Sequence, residues 1–193
     1  MLKRFAALIC CLPLLFCGCK NSHRIETAAI IENVSVEPDE SGLNYTFYLL
    51  SDSETPGYVS VPASSFEEAR ILAQKKYIPN MSLAKLELLL IRKDVGKDVL
   101  QKDIEYISTQ ASFSPVAYVA LCDGKTLKKM KRSAESQKWI EQQIILCKNN
   151  NPEVNINYLS VFNSYARKDS NSFFVPLITA EGELKVSVAE IGK

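Results

Sequence analysis

An apolar run opens the chain between a short basic start and a polar stretch. Two basic residues precede the run 5–16, which only Pro13 interrupts, and the sequence turns polar after Cys19. A basic start, a short apolar core and a small residue before the cleavage point are the features of a secretory signal peptide. The run is too short to span a bilayer, which takes about 20 residues. We therefore predict that residues 1–18 are a signal peptide.

Alternating apolar side chains predict a β-hairpin near each end of the remaining chain. Residues 27–37 and 43–50 have strand-like patterns on either side of the polar turn 38–42. Residues 173–179 and 183–191 have the same arrangement around a short glycine-containing turn. In both pairs the connection is short enough for the two strands to lie side by side in one sheet.

Between the hairpins, largely apolar runs alternate with amphipathic stretches. Residues 86–91 and 115–122 are typical of strands covered on both faces, whereas the polar, Gly- and Pro-marked residues 51–62 predict a loop. Apolar side chains at helical spacing predict helices at about residues 66–76, 97–108, 136–149 and 157–168. This order predicts an α+β fold, a mixed β-sheet with helices packed on it, in a single domain spanning residues 27–193.

Charge and size narrow the functional classes. The chain carries 23 basic and 22 acidic side chains, and losing Lys3 and Arg4 with the signal peptide leaves the mature protein near −1. This near-neutral balance does not favour nucleic-acid binding or a strong polybasic attraction to lipid headgroups. The roughly 175 residues after the signal peptide are a normal size for one domain.

Most of the six cysteines belong to the amino-terminal segment. Cys10, Cys11 and Cys17 lie in the predicted signal peptide and leave with it. Cys122 and Cys147 remain in apolar surroundings, and the residues between them do not fix their distance. They form either a disulfide or two buried free thiols, and we prefer the free thiols.

The sequence contains few residues suited to catalysis. His23 is the only histidine, so a catalytic triad or a histidine-rich zinc site would depend on it. The seven glycines lack the spacing of a phosphate loop or dinucleotide fold, and Asp94, Asp98 and Asp103 lack the spacing of a calcium loop. We therefore predict a protein that is not an enzyme, with no catalytic, cofactor-binding or metal-binding residue.

The sharpest charge feature is a basic stretch at residues 125–132, which contains four lysines and one arginine. Such a stretch either contacts anionic headgroups or an acidic partner, or forms the solvated face of a helix that follows a strand. We prefer the helix face. Trp139, in the next amphipathic stretch, is expected in the core.

The pair Gly18–Cys19 at the end of the apolar run resembles a bacterial lipobox. The resemblance implies that the Cys19 thiol is acylated and that the mature protein begins at this cysteine. Residues 19–26 would then be a lipidated tether that holds the domain at a membrane. A plain secreted protein and an uncleaved anchor are the alternatives.

The order of segments along the whole mature chain resembles the GerC family of spore germination lipoproteins. The match is clearest in the apolar strand 84–91 and begins at Gly18–Cys19; it also includes residues 24–26, 28–31, 64–69, 117–120 and 159–177. The chain departs from the family in two ways. Lys20 and Asn21 stand where members usually have a Trp-Asp pair, and members continue through further domains.

This resemblance implies a place, partners and a role. GerC proteins are lipid-anchored subunits of the germinant receptor, on the outer face of the spore's inner membrane. The resemblance therefore implies a non-enzymatic subunit that supports nutrient-triggered germination through contacts with membrane receptor subunits. It also implies that the nutrient is bound by those other subunits, so we expect no cofactor and no small-molecule ligand on this chain.

Three other interpretations remain open. A lipid-anchored solute-binding protein of a transporter would have the same kind of signal peptide, although a domain of this size lacks the usual two-lobed cleft. An extracytoplasmic enzyme is disfavoured by the shortage of histidines and nucleophile motifs. A shortened receptor subunit that no longer works in the usual receptor is the third.

Overall fold

The computed structural model describes residues 28–40, 42–51, 54–55, 57–95, 97–167 and 172–192, apart from the side chains of residues 97 and 98. Within these ranges the chain forms eight strands and five helices. They are β1 (Ala29–Asp39), β2 (Gly42–Leu49), β3 (Tyr58–Ala63), α1 (Phe66–Lys76), β4 (Met81–Ser82), β5 (Leu88–Arg92), α2 (Lys97–Ser108), β6 (Tyr118–Cys122), α3 (Gly124–Met130), α4 (Ala134–Asn150), α5 (Tyr158–Ala166), β7 (Ser172–Glu181) and β8 (Glu183–Gly192).

All eight strands belong to one mixed sheet. Its strand order is β3-β2-β1-β5-β6-β7-β8, and the short β4 pairs with the start of β1. The central strands β1, β5, β6 and β7 are parallel, while β1–β2–β3 and β7–β8 are antiparallel. The predicted α+β fold, with a hairpin at each end of the chain, is therefore confirmed.

Helices cover both faces of the sheet. Helices α1, α2 and α5 pack on what we call the three-helix face, and α3 and α4 pack on the opposite, two-helix face. The central strand β5 contributes to both layers, since Leu89 and Ile91 lie in the core of the first face and Leu88 and Leu90 in the core of the second. This arrangement explains the continuous apolar run in its sequence.

The prediction of a loop over residues 51–62 is wrong for its second half. Tyr58–Ala63 forms β3, the edge strand of the sheet, and pairs antiparallel with β2. Pro62 is compatible with this position because an edge strand has one side that needs no hydrogen-bond donor. The apolar alternation of Val59 and Val61 was therefore a better guide than the proline.

Two predicted strands begin later than the sequence indicated. β5 begins at Leu88 rather than at residue 86, and β6 begins at Tyr118 rather than at residue 115. A turn precedes β6, with the Ala117 amide donating to the Ser114 carbonyl, and it leaves Val116 68% exposed. The run 115–122 is therefore only partly a buried strand.

The remaining side-chain expectations are met to different degrees. Cys122 and Cys147 are buried free thiols, as preferred. Residues 125–130 of the basic stretch lie in α3, as the helix interpretation expected, and Lys131 and Arg132 follow the helix. Trp139 is only half-buried and packs against the core of the two-helix face.

Candidate partner-binding face

The parallel strands give the sheet two chemically different ends. The amino ends of β1, β5, β6 and β7 lie at one end, which we call the amino end, and their carboxyl ends lie at the other. The chain enters the fold at the amino end, where the Ala29 amide donates to the Asn80 carbonyl at 2.9 Å. Cys19 lies ten residues before Ala29 in the sequence.

Exposed apolar side chains concentrate at the amino end. They are 38–68% exposed and sit where strands begin or where helices and loops return to this end. Backbone contacts fix their positions, since the Leu50 amide donates to the Ile30 carbonyl and the Leu159 amide to the Pro115 carbonyl. Seven such residues belong to the amino end, namely Leu50, Tyr58, Tyr77, Val116, Ile145, Leu159 and Phe174. We call them the amino-end apolar residues.

An open groove of about 1050 Å³ lies at the same end, on the two-helix face. Its floor comes from the starts of the central strands and one wall comes from α4, while the segment after β2 contributes the opposite rim. Its lining includes Glu32, Asn33, Glu87 and Tyr118 from the sheet, Gln137, Lys138, Glu141 and Ile145 from α4, and Leu50 from the rim.

Three carboxylates interact across this groove. Burial and the negative charges of Glu87 and Glu32 raise the pKa of Glu141 to about 7, while Lys138 opposes the shift. Burial and Glu87 likewise raise the pKa of Glu32, again against Lys138. The three carboxylates therefore repel one another in a partly desolvated place, and Lys138 compensates only part of that repulsion.

The groove floor also contains a buried amide with a free acceptor. Asn33 is 1% exposed, and its Nδ2 donates to Gln137 Oε1 at 2.7 Å. Gln137 Nε2 in turn donates to the Met130 carbonyl at 3.2 Å. Among the residues that the structure describes, no group donates to Asn33 Oδ1. An unpaired buried acceptor is costly, so this oxygen is a point at which a bound donor would be favourable.

A second buried carboxylate serves the fold instead. Asp103 of α2 accepts hydrogen bonds from the Tyr45 hydroxyl at 2.7 Å and the Phe66 amide at 2.9 Å. Burial raises its pKa to about 6, although both hydrogen bonds act in the opposite direction. Asp103 thus joins β2, α1 and α2 on the three-helix face, away from the groove.

The predicted site residues lie partly outside the described structure. The signal peptide, Cys19, the tether and His23 all precede residue 28, so the predictions about them lie outside the described residues. The basic helix α3 lies at the carboxyl end of the sheet, opposite the amino end. There Lys129 donates to the Gly182 carbonyl at 2.6 Å and Lys131 pairs with Glu37 at 2.7 Å.

The described ranges contain neither a metal-site arrangement nor a membrane-spanning helix. In that part of the chain, no group of three or more His, Cys, Asp or Glu side chains has the arrangement of a metal site. Over the same residues, no helix combines the length and the apolar character that crossing a membrane requires.

Sequence reasoning missed the groove, although a signal for it was present. Glu32 and Asn33 interrupt a strongly apolar strand, and Glu87 interrupts the run 86–91. Polar residues inside a buried strand need partners or a function. The sequence pattern predicted only that Glu32, Asn33 and Glu87 lie in or beside strands. Nothing in the sequence distinguished Glu141 from the other polar residues of its helix.

Comparison with known families identifies the chain at the level of its domain. The model of the family described as "Spore germination protein N-terminal domain" matches residues 21–180. Comparisons with curated proteins and with solved structures find no match. The match covers most of the chain, from the predicted tether to β7, and includes every groove residue named above. The chain belongs to the spore germination protein N-terminal domain family, which links it to spore germination.

Proposed function

We propose that this protein is a non-enzymatic, lipid-anchored subunit of a spore germinant receptor. The observation that carries the proposal is the coincidence of three features at the amino end of the sheet. The chain enters there, seven exposed apolar side chains lie there, and the acidic groove opens there. Family membership supplies the link to germination.

The anchor in this proposal is Cys19, acylated after removal of residues 1–18. Ala29 lies ten positions after Cys19, and a chain of that length reaches at most about 35 Å when fully extended. The amino end therefore stays close to the membrane and faces it, on the extracytoplasmic side of the spore's inner membrane. More than one acyl chain makes such anchoring stable.

Contacts with membrane subunits of the receptor follow from this orientation. The amino-end apolar residues would bury against the parts of those subunits that project from the bilayer. Anchoring restricts the domain to a thin layer above the membrane, which raises its effective concentration near those subunits. Modest contact affinity then suffices for assembly, and the nutrient itself is bound elsewhere in the complex.

The test combines a gene deletion with a single substitution. Spores lacking the gene and spores with Cys19→Ala are scored for nutrient-triggered germination, and the protein is followed by membrane fractionation. We expect both strains to germinate poorly and the variant to leave the membrane fraction. Normal germination in both strains, in a host without a second copy, would contradict the proposal.

The groove itself supports one alternative function. An open volume of about 1050 Å³ is large enough for a solute, as a lipid-anchored binding protein of a transporter would require. Thermal denaturation with and without the nutrients that trigger germination distinguishes the two functions. A receptor subunit of the proposed kind shows no nutrient-dependent shift, whereas a solute-binding protein shows stabilisation that grows with nutrient concentration.

A further inference from the structure

We propose that the groove at the amino end binds a basic side chain, lysine or arginine, of a partner polypeptide. The inference deepens the proposed function and rests on it, because the amino end is the surface that the lipid anchor turns toward the membrane subunits. The floor of the binding site is formed by Glu32, Asn33, Glu87 and Glu141.

The charge of the groove selects a cation. Five carboxylates line it, from Glu32, Glu54, Glu87, Glu135 and Glu141, against two basic side chains, Arg132 and Lys138. The three that interact most strongly come from β1, from the residue before β5, and from α4, so the fold itself brings them together. A cation placed among them would relieve their mutual repulsion.

The free acceptor on the floor points to a hydrogen-bond donor as well as a charge. Asn33 Oδ1 has no donor among the described residues, and Gln137 already accepts from the Asn33 amide. Lysine offers three donors and arginine five, with no acceptor in either group. Such a side chain supplies the missing donor without adding another unpaired acceptor.

The walls favour a polypeptide over a small amine. Leu50 is 46% exposed on one rim and Ile145 is 42% exposed on the other. Lysine and arginine carry long apolar stems that pack on such surfaces while the charged end reaches a polar floor. A small amine would fill only part of a volume of about 1050 Å³ and would leave both apolar rims uncovered.

Occupation of the groove is coupled to protonation. At neutral pH Glu141 is only partly ionised, because its pKa is about 7, and a bound cation favours the ionised form. Binding therefore releases protons and strengthens as the pH rises from 6 to 8. The charged groups that face Glu141 and share in this response are Glu32 on β1, Glu87 before β5, and Lys138 on its own helix; Glu54, Arg132 and Glu135 complete the groove.

The experiment uses a charged probe and its neutral match. The mature lipidated protein, in detergent micelles, is titrated with N-acetyl-arginine amide and with N-acetyl-citrulline amide while amide resonances are followed by NMR. We expect the arginine probe to shift the side-chain resonances of Asn33 and Gln137 and the citrulline probe to leave them unchanged. The affinity should rise up to about tenfold from pH 6 to 8, as a carboxylate of pKa about 7 becomes ionised.

Matched variants locate the effect. In the groove variant, Glu32, Glu87 and Glu141 are all replaced by glutamine, and we expect at least tenfold weaker binding of the arginine probe. In the control variant, the exposed Glu153, Glu181 and Glu190 are replaced by glutamine, which changes the net charge equally outside the groove. Equal loss in both variants, or equal shifts with both probes, would overturn the inference.

Two further outcomes distinguish failure of the groove inference from failure of the proposed receptor function. If methylammonium shifts the groove resonances as strongly as the arginine probe does, the groove is a small-amine site and the polypeptide partner is wrong. In spores, the groove variant should stay in the membrane fraction and germinate several-fold more slowly than the control variant. Normal germination of the groove variant beside a defective Cys19→Ala strain would reject the groove inference and leave the receptor role standing.

Discussion

At the scale of single residues, Asp103 is a buried carboxylate whose loss should lower the stability of the fold. It accepts hydrogen bonds from the Tyr45 hydroxyl and the Phe66 amide, and it is 5% exposed. Asp103→Ala leaves both donors buried without an acceptor, so we expect the free energy of unfolding to fall by about 2–4 kcal/mol. Urea denaturation measures this loss.

Asp103→Asn is the matched control, because its amide oxygen keeps one of the two hydrogen bonds. We expect a smaller loss than for Asp103→Ala. An alanine variant as stable as the native protein would show that neither donor depends on this carboxylate.

Substitution of Glu141 should have the opposite effect and make the folded protein more stable. Its pKa in the folded protein is about 7, above the ordinary value of 4.5. The folded state therefore keeps a proton that the unfolded chain loses, so stability falls as the pH rises through this window and stays lower above it. We expect Glu141→Gln to raise the free energy of unfolding by about 1 kcal/mol at pH 8, with solvent screening limiting the gain.

Thermal denaturation at two pH values checks this prediction. At pH 4 both carboxyl and amide are neutral, and the variant should match the native protein. Glu153→Gln, at an exposed position outside the groove, should change stability at neither pH. A Glu141→Gln variant that is destabilised at pH 8 would mean that the carboxylate is paired rather than repelled.

At the scale of elements, the start of α1 depends on two adjacent serines. The Ser65 hydroxyl accepts from the Glu68 amide, and the Glu68 carboxylate accepts from the Ser64 amide at 2.8 Å and the Ser64 hydroxyl at 2.7 Å. These contacts hold the helix at the carboxyl end of β3. Ser65→Ala should lower the free energy of unfolding by about 1 kcal/mol.

Ser65→Asp provides the control for the capping role, because aspartate caps helices as well as serine does. It should restore most of the stability that the alanine variant loses, as measured by urea denaturation. Equal losses in both variants would assign the effect to the exact shape of serine at this position and not to capping.

Elements differ in how well their sequences predict them. Helix α2 has the predicted bounds because Val99, Leu100, Ile104 and Ile107 repeat at helical spacing, and three of these four are buried. Strand β3 was missed because Pro62 is a general signal against strands, and only its edge position makes it acceptable. Local sequence patterns predict an element well where one of its faces is buried. They fail where the position of a strand in the sheet determines whether a residue such as proline is tolerated.

The groove was beyond prediction for a related reason. Glu32 and Glu87 are neighbours only because β1 pairs in parallel with β5, with Asn33 opposite Leu88. That register, and the placement of α4 over it, are tertiary facts. The sequence marks the polar residues inside apolar strands, but it does not state which of them meet.

At the scale of the whole molecule, the uneven distribution of exposed apolar side chains leads to a prediction about assembly. Val116 and Leu159 are 68% and 50% exposed at the amino end, while Ile71 is 51% exposed on α1. Under the proposed orientation only the first two meet the receptor. The double variant Val116→Asn and Leu159→Asn should therefore reduce co-purification of the membrane subunits by about tenfold or more.

Ile71→Asn is the matched control, since it changes an equally exposed apolar residue elsewhere. It should leave co-purification unchanged, and both variants should keep melting temperatures close to that of the native protein. Equal loss of the membrane subunits in the two variants would mean that the amino end has no special part in assembly.

The central position of β1 also determines when the sheet can finish folding. β1 is the first described strand along the chain, yet it lies between β2 and β5 and therefore waits for a partner more than 50 residues downstream. During synthesis, the β1–β2 hairpin can form early, while the parallel half of the sheet must wait for β5, β6 and β7. Such non-local pairing slows folding and prolongs the time during which apolar strand faces are uncovered. The nascent protein is therefore most exposed to aggregation after the β1–β2 hairpin has formed and before the β7–β8 hairpin has been synthesised.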